Sequence, residues 1–478
     1  MNSRERFSFV ILLVLPLLVY GLAVWQVFGA PEDFARLALG GQAEGVSIDH
    51  AHGGLIHGAL LETAFLHVDT VANLVWVRLL TVVLAMLAGL AVWQLLERGG
   101  WAEFDAAAAG ALITLLPSVQ LMAGWATSWP ALLAALLSLA GFAAVESELE
   151  RGGLKRAVGV LGGVVLYFSA SLVHFPSAIF GVVPLAGVLL VRPTRFWADH
   201  GKWLWQHGAI LAAGLVGGWV FERWLLEDAG LLASIRGHDL GSRVGGLLLA
   251  GLPQGLSAFL PYWLLPGGPW VAWVGALVVL GLIWAAMKRE QQENEAATQK
   301  WSRALLLPLA FVLLTVFLAQ DWRPGLRMLL PLGGVMTVAT VAALRVLVAP
   351  GKKTLTVYYV GLGLLVAVIA ALAGVNARSA VAEPLVAEWA KVRAAVMRAH
   401  LPERSRIFVV SDTKPWDRPA TFEASALAQP GVPALMVRAA LHERFGASSG
   451  KRTIIVESAP APKPGVAYDL VINPAALP

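Results

Sequence analysis

The sequence predicts an α-helical polytopic membrane protein of about eleven transmembrane helices, closed by a small α/β domain outside the membrane. Three observations predict it. Hydrophobic residues make up 58% of the 478 positions, against roughly 45–50% in a soluble domain. Charged residues make up only 14%, where about 25% is usual, too few to coat a soluble fold of this length. Apolar runs long enough to cross ~30 Å of hydrocarbon recur from the N-terminus to residue 375 and then stop.

Arg4 and Arg6 precede the first apolar run, which extends from about Phe7 to Phe28. A signal peptide has a similar basic start, but its apolar region is usually about 7–15 residues long and ends in a small-x-small site. This run is longer and lacks such a site, so it reads as a retained first span. Further runs lie near Val71–Leu96, Ala106–Trp125, Trp129–Val145, Ala157–Ser171 and Pro176–Val191. Ser169, Ser171, His174 and Pro176 mark a turn between the last two. Gly208–Leu226, Val271–Met287, Ala304–Gln320, Leu329–Ala349 and Leu355–Val375 complete the set. Val244–Leu265 is apolar but broken by Pro253, Pro261 and glycines, and reads as re-entrant or interfacial. Many of the 19 tryptophans sit at span ends, as an aromatic belt requires; Trp93, Trp125, Trp129 and Trp270 are examples. With the N-terminus inside, the inner loops carry fifteen Lys and Arg and the outer loops five, which obeys the positive-inside rule. An odd number of spans then places the C-terminus outside.

From Asn376 the composition turns charged and proline-rich, so residues 1–375 read as the membrane domain and 376–478 as a soluble domain. Helical spacing covers Glu383–Leu401 and Ala434–Phe445. Short strands are expected at Arg406–Ser411, Thr453–Val456 and Asp469–Ile472, a small α/β unit.

Several classes of function are excluded or weakened. No cysteine is present, so there is no disulfide, no thiolate nucleophile and no Cys-ligated metal. The net charge of +5 belongs to loops beside anionic lipid; with no nucleic-acid motif, no nucleic-acid partner is expected. No P-loop, dinucleotide fingerprint or nucleophile elbow occurs in a suitable context. Ionisable residues in or near spans are few (Arg78, His174, Glu222, Arg223, Arg345), which weakens an ion-coupled transporter.

The first outer loop, about 29–70, is the most informative segment. It opens with Glu32 and Asp33 just after the first span. A carboxylate in a half-buried cleft has its pKa raised and can serve as a general base. The competing reading is a helix start, with Pro31 in the first turn and acidic residues at the positive helix end. Asp49, His50, His52 and His57 follow. Histidine and carboxylate suit a divalent metal or acid–base work; the competing reading is a solvated polar loop. In later outer loops, Arg323 and Arg327 lie beside Trp322, and Arg236 and Arg243 flank His238. Such guanidinium groups suit a lipid phosphate, or they contact headgroups at the interface.

One span, an acidic pair, an amphipathic outer segment (Phe34, Leu37, Leu39), a long bundle and a terminal outer domain together resemble the GT-C superfamily of polyprenyl-phosphate-dependent glycosyltransferases. Trp76-Val-Arg78-Leu-Leu, Leu115-Leu-Pro117-Ser-Val-Gln120 and Arg323-Pro-Gly-Leu-Arg327-Met-Leu-Leu-Pro331-Leu are similar to stretches of bacterial proteins of that type. The resemblance implies a sugar donor linked to polyprenyl phosphate and an envelope glycan, lipid or protein as acceptor. Asp33 is then the base and Glu32 its assistant, with Arg323 and Arg327 on the donor phosphate. It also implies a bacterial inner membrane, with 376–478 covering the site, binding acceptor or meeting an envelope partner. The His-rich stretch at 50–57 is where the sequence departs from the resemblance, which leaves metal use open. A non-enzymatic carrier or flippase for lipid-linked saccharide, or an assembly subunit, remains the alternative.

Overall fold

The computed structural model describes residues 3–39, 55–149, 153–191, 197–228, 245, 248, 251–257, 270–318, 326–348, 352–411, 426–428, 431–446 and 453–473. It shows a multi-pass helical bundle. The described helices are α1 (Ser3–Val24), α2 (Pro31–Leu39), α3 (Leu55–Phe65), α4 (Leu74–Arg98), α5 (Glu103–Thr114), α6 (Pro117–Gly124) and α7 (Trp129–Leu149). Then come α8 (Gly153–Ala178), α9 (Val182–Val191), α10 (Trp197–Asp228), α11 (Leu252–Leu256), α12 (Trp270–Glu293) and α13 (Ala297–Leu318). The bundle ends with α14 (Leu330–Val348) and α15 (Lys352–Val375).

Each of the eleven apolar runs is helical over most of its described residues. Eight described helical runs are long and apolar enough to cross a membrane, nine if the bent pair α5–α6 is one span. The difference from eleven is largely one of continuity. The two runs expected at 157–171 and 176–191 form a single helical stretch, Gly153–Val191, interrupted at His174, whose φ of −161° and ψ of 100° are not helical. The chain doubles back there. Gly181 packs against the ring of Tyr167, and Gly187 accepts a hydrogen bond from Trp101 Nε1 at the far end of α4. Ser138 of α7 clasps the reversal: its hydroxyl donates to Ala178 O and accepts from Gly181 N at 2.7 Å.

Helix contacts follow the membrane rule that small residues admit close approach. Gly89 of α4 faces Gly110 of α5 so tightly that a Cβ on Gly110 would lie 2.6 Å from Gly89 O. The broken apolar stretch at 244–265 lies largely outside the described residues; its described part includes α11, with Pro253 at its start.

Beyond Val375 the helix does not stop where the composition changes. A π-helical segment, Asn376–Ala382, carries it into α16 (Glu383–Arg398). Strands β1 (Arg404–Val410), β2 (Thr453–Ala459) and β3 (Leu470–Ile472) form a parallel sheet in the order β2-β1-β3. Ile407 pairs with Val456 on one side and Leu470 on the other. The central position explains why Ile407, Phe408 and Val409 are all buried, since a strand paired on both edges reads as a continuous apolar run. Helix α17 (Val432–Phe445) ties this unit to the bundle: Glu443 accepts from Val71 N and pairs with Arg393.

Candidate active site at one end of the bundle

Helix α2 begins as its sequence dictates. Pro31 occupies the first helical position, where its missing N–H costs nothing, and Phe34 N donates to Ala30 O. Asp33 then reaches back to accept from Ala30 N at 2.9 Å, the reciprocal half of a capping box. The same carboxylate crosses to another part of the chain. It accepts from Ala126 N (3.3 Å) and Thr127 N (3.0 Å), the free donors of the 3₁₀ turn Ala126–Ser128 that leads into α7. Asp33 is wholly buried. Burial pushes its carboxyl up to about 6, against the lowering pull of those three N–H groups and the Arg78 charge.

Glu32, one position earlier, is the accessible member of the pair, its side chain 40% exposed. Its carboxylate takes both terminal nitrogens of Arg327, Nη2 at 3.1 Å and Nη1 at 3.3 Å, and the Thr127 hydroxyl at 3.1 Å. Arg327 stands in the 3₁₀ turn before α14. It also reaches Ser128 Oγ and stacks 3.9 Å over the Trp125 ring. The guanidinium therefore meets a carboxylate and an aromatic face within the protein.

His57 of α3 lies near Glu32 and Arg327. It is buried, hydrogen-bonds the backbone of Val173, and leaves Nδ1 without a partner. Burial lowers its pKa to about 4, with Glu32 opposing the shift and Arg36 and Arg327 adding to it; its imidazole is neutral at physiological pH. The ring lies 6.0 Å from His174, whose Nδ1 meets Ser177. Behind Asp33, Arg78 is buried with its guanidinium 3.8 Å over Phe28 and Nη2 on Gln26 O; its Nε and Nη1 have no hydrogen-bond partner.

Of the residues singled out in the sequence, the fold brings Glu32, Asp33, His57 and Arg327 together. Arg323, Arg236, Arg243, Asp49, His50 and His52 lie outside the described residues. Among the described residues, no group of three or more His, Asp or Glu side chains could hold a metal ion. Sequence reasoning missed Thr127 and Ser128 altogether. Trp125 appeared as one of the interface belt, although hydroxyls between Trp125 and Trp129, at a break between two apolar runs, were a readable signal.

No protein-family model matches the chain, and no curated protein matches it in sequence. In fold the chain is similar to solved structures at low identity. The structure of ArnT from Cupriavidus metallidurans bound to undecaprenyl phosphate is 14% identical. The match covers 94% of this chain and 89% of that one, with a TM-score of 0.47. The archaeal oligosaccharyltransferase AglB from Archaeoglobus fulgidus, in complex with an inhibitory peptide and a dolichol-phosphate, is 12% identical. There the match covers 95% of this chain and 64% of that one, with a TM-score of 0.49.

Proposed function

We propose that the chain is an integral membrane glycosyltransferase of GT-C type. It moves a sugar from a polyprenyl-phosphate-linked donor to an envelope glycan, lipid or protein on the outer side of a bacterial inner membrane. The observation that carries this reading is the Glu32–Arg327 pair, held at the mouth of the bundle over Trp125. Each partner neutralises the other at rest, and each is suited to one half of a transfer reaction. A donor phosphate takes Arg327 in a bidentate grip. Arg327 is thereby shared with the phosphate, whose negative charge beside Glu32 makes that carboxylate the stronger proton acceptor. The acceptor hydroxyl gives its proton to Glu32 as its oxygen attacks the anomeric carbon. The bond from that carbon to phosphate breaks, and the departing charge is stabilised on Arg327.

Asp33 takes a different role from the one the sequence resemblance implied. Its carboxylate already accepts three backbone N–H groups and has no exposure, so it holds α2 against the start of α7 and fixes where Glu32 points. Asp33 is a positioning residue and Glu32 the base. His57 Nδ1, an unpartnered acceptor beside them, suits a sugar hydroxyl. The N-terminus lies inside, and 376–478 lies outside, where an acceptor or an envelope protein meets it.

The test compares wild type, Arg327→Ala and Glu32→Gln by native mass spectrometry in mild detergent and by transfer from polyprenyl-phosphate-linked sugars in membranes. Polyprenyl phosphate co-purifies with wild type and Glu32→Gln and is lost from Arg327→Ala, while both variants lose transfer. A Glu32→Gln protein that still supports full saccharide export would overturn the enzyme reading in favour of a carrier.

A further inference from the structure

A cavity lies at the opposite end of the bundle, and the glycosyl-transfer reading makes no use of it. Helix α14 links the two ends: Arg327 precedes its first turn and Arg345 lies in its last, about 27 Å away at 1.5 Å per residue. That separation matches the thickness of a bilayer core. Around Arg345 the end of α9, the start of α5 and the end of α14 enclose a cavity of about 370 Å³ lined by Trp101, Asp105, Trp301, Ala342 and Arg345. A volume of this order accommodates a small organic ligand.

The chemistry of the walls is specific. Asp105 is 3% exposed. One carboxylate oxygen receives Arg345 Nη1 at 3.3 Å, and the Tyr358 hydroxyl also bonds the carboxylate. The other oxygen, Oδ1, is buried with no hydrogen-bond partner. An unsatisfied buried carboxylate oxygen costs stability unless something donates to it. Arg345 also donates to the Tyr359 hydroxyl at 2.8 Å, and its side chain is 35% exposed, so one side of the guanidinium faces outward. The two indole N–H groups are already used, Trp101 on Gly187 O and Trp301 on Glu290. What the tryptophans offer the cavity is therefore ring surface.

We infer that this cavity binds the headgroup of a zwitterionic phospholipid bearing a primary ammonium. The phosphate lies on the outward side of Arg345, and the ammonium donates to Asp105 Oδ1 between the two indoles. Each wall group has a task in that arrangement. Arg binds phosphate oxygens directionally, an ammonium is held by tryptophan faces, and its N–H groups satisfy the orphan oxygen. The helix ends place the site at headgroup depth, where interhelical pockets take lipid heads. An anionic lipid without an amine leaves Oδ1 unsatisfied, and a trimethylammonium headgroup has no N–H to give it.

The test is native mass spectrometry of the full chain released from nanodiscs of equal phosphatidylethanolamine, phosphatidylglycerol and phosphatidylcholine. Wild type is expected to retain one phosphatidylethanolamine at least tenfold over either other lipid, and Asp105→Asn to lose most of that preference. Ala342→Phe fills the cavity without touching the charged groups, and is expected to abolish retention even if Asp105→Asn fails to fold. Equal retention of the three lipids by wild type overturns the proposal, as does undiminished phosphatidylethanolamine retention in Ala342→Phe. The readout is lipid occupancy, so it stands whether or not sugar transfer is the protein's reaction.

Discussion

At Asp33 a carboxylate exchanges bulk water for three backbone N–H groups, and burial still wins, leaving its titration near pH 6. The folded chain therefore binds a proton that the unfolded chain does not, between about pH 6 and the ordinary carboxylate value of 3.8. By linkage, this group's contribution to stability grows as pH falls through that window, by on the order of 3 kcal/mol. His57 works the other way. Its folded value near 4 lies below the usual 6.5, so the unfolded state binds the extra proton and stability falls as pH drops from 6.5 toward 4. The two slopes oppose each other in wild type. Thermal unfolding of Asp33→Asn across pH 4–7 should expose a clear loss of Tm on acidification, and His57→Gln a gain. A flat profile in both variants would show that neither group is buried as described. At Glu32 the expectation is kinetic: Glu32→Gln should fold normally and lose about 10²–10⁴-fold in kcat, the range for a general base, measured as sugar transfer in membranes.

The elements around the site depend on a few contacts at which helices touch backbone to backbone. Ser138 satisfies two buried backbone groups at the reversal beyond His174. Ser138→Ala leaves both unpaired at about 1–3 kcal/mol each, and should lower Tm more than any exposed serine substitution on the same helix. The Gly89–Gly110 contact is less forgiving, because the atom a side chain would meet is a carbonyl oxygen rather than the end of a flexible chain. Gly110→Val should force α4 and α5 apart and reduce the yield of folded protein in detergent, while Gly281→Val, where nothing lies within 4 Å, should be tolerated. Size-exclusion recovery of the two variants checks this.

On the scale of the whole molecule, the C-terminal unit and helix α2 are fastened together. Trp389 of α16 packs on Phe34 of α2, ring centroids 5.4 Å apart, and both are buried. Trp389→Ala should loosen α2 and cost transfer activity at least tenfold, although residue 389 is far in sequence from the carboxylates. Retention of full activity would show that the unit is only appended. Topology is testable on the same scale because the chain has no cysteine. Single cysteines at Glu295, in the turn between α12 and α13, and at Lys463, after β2, should react with impermeant maleimide from opposite sides of intact inverted and right-side-out vesicles.

Composition and local pattern alone determined the membrane class, all eleven helical runs, the reversal at His174 and the three strands. Each depends on a residue's own hydrophobicity and on neighbours within a few positions, and a bilayer makes that local signal strong because unsatisfied backbone cannot face lipid. The acidic pair was legible as a pair, since both residues follow Pro31 at a helix start. The division of labour within it was not. Only the tertiary structure brought Thr127 and Arg327, 94 and 295 positions away, to Asp33 and Glu32, and so decided which carboxylate is locked into backbone and which stands at the mouth. Sequence patterns report on faces of single helices. The choice between burial and exposure for two adjacent carboxylates is made by what another part of the chain presents to them, through loops whose closure leaves no periodic trace.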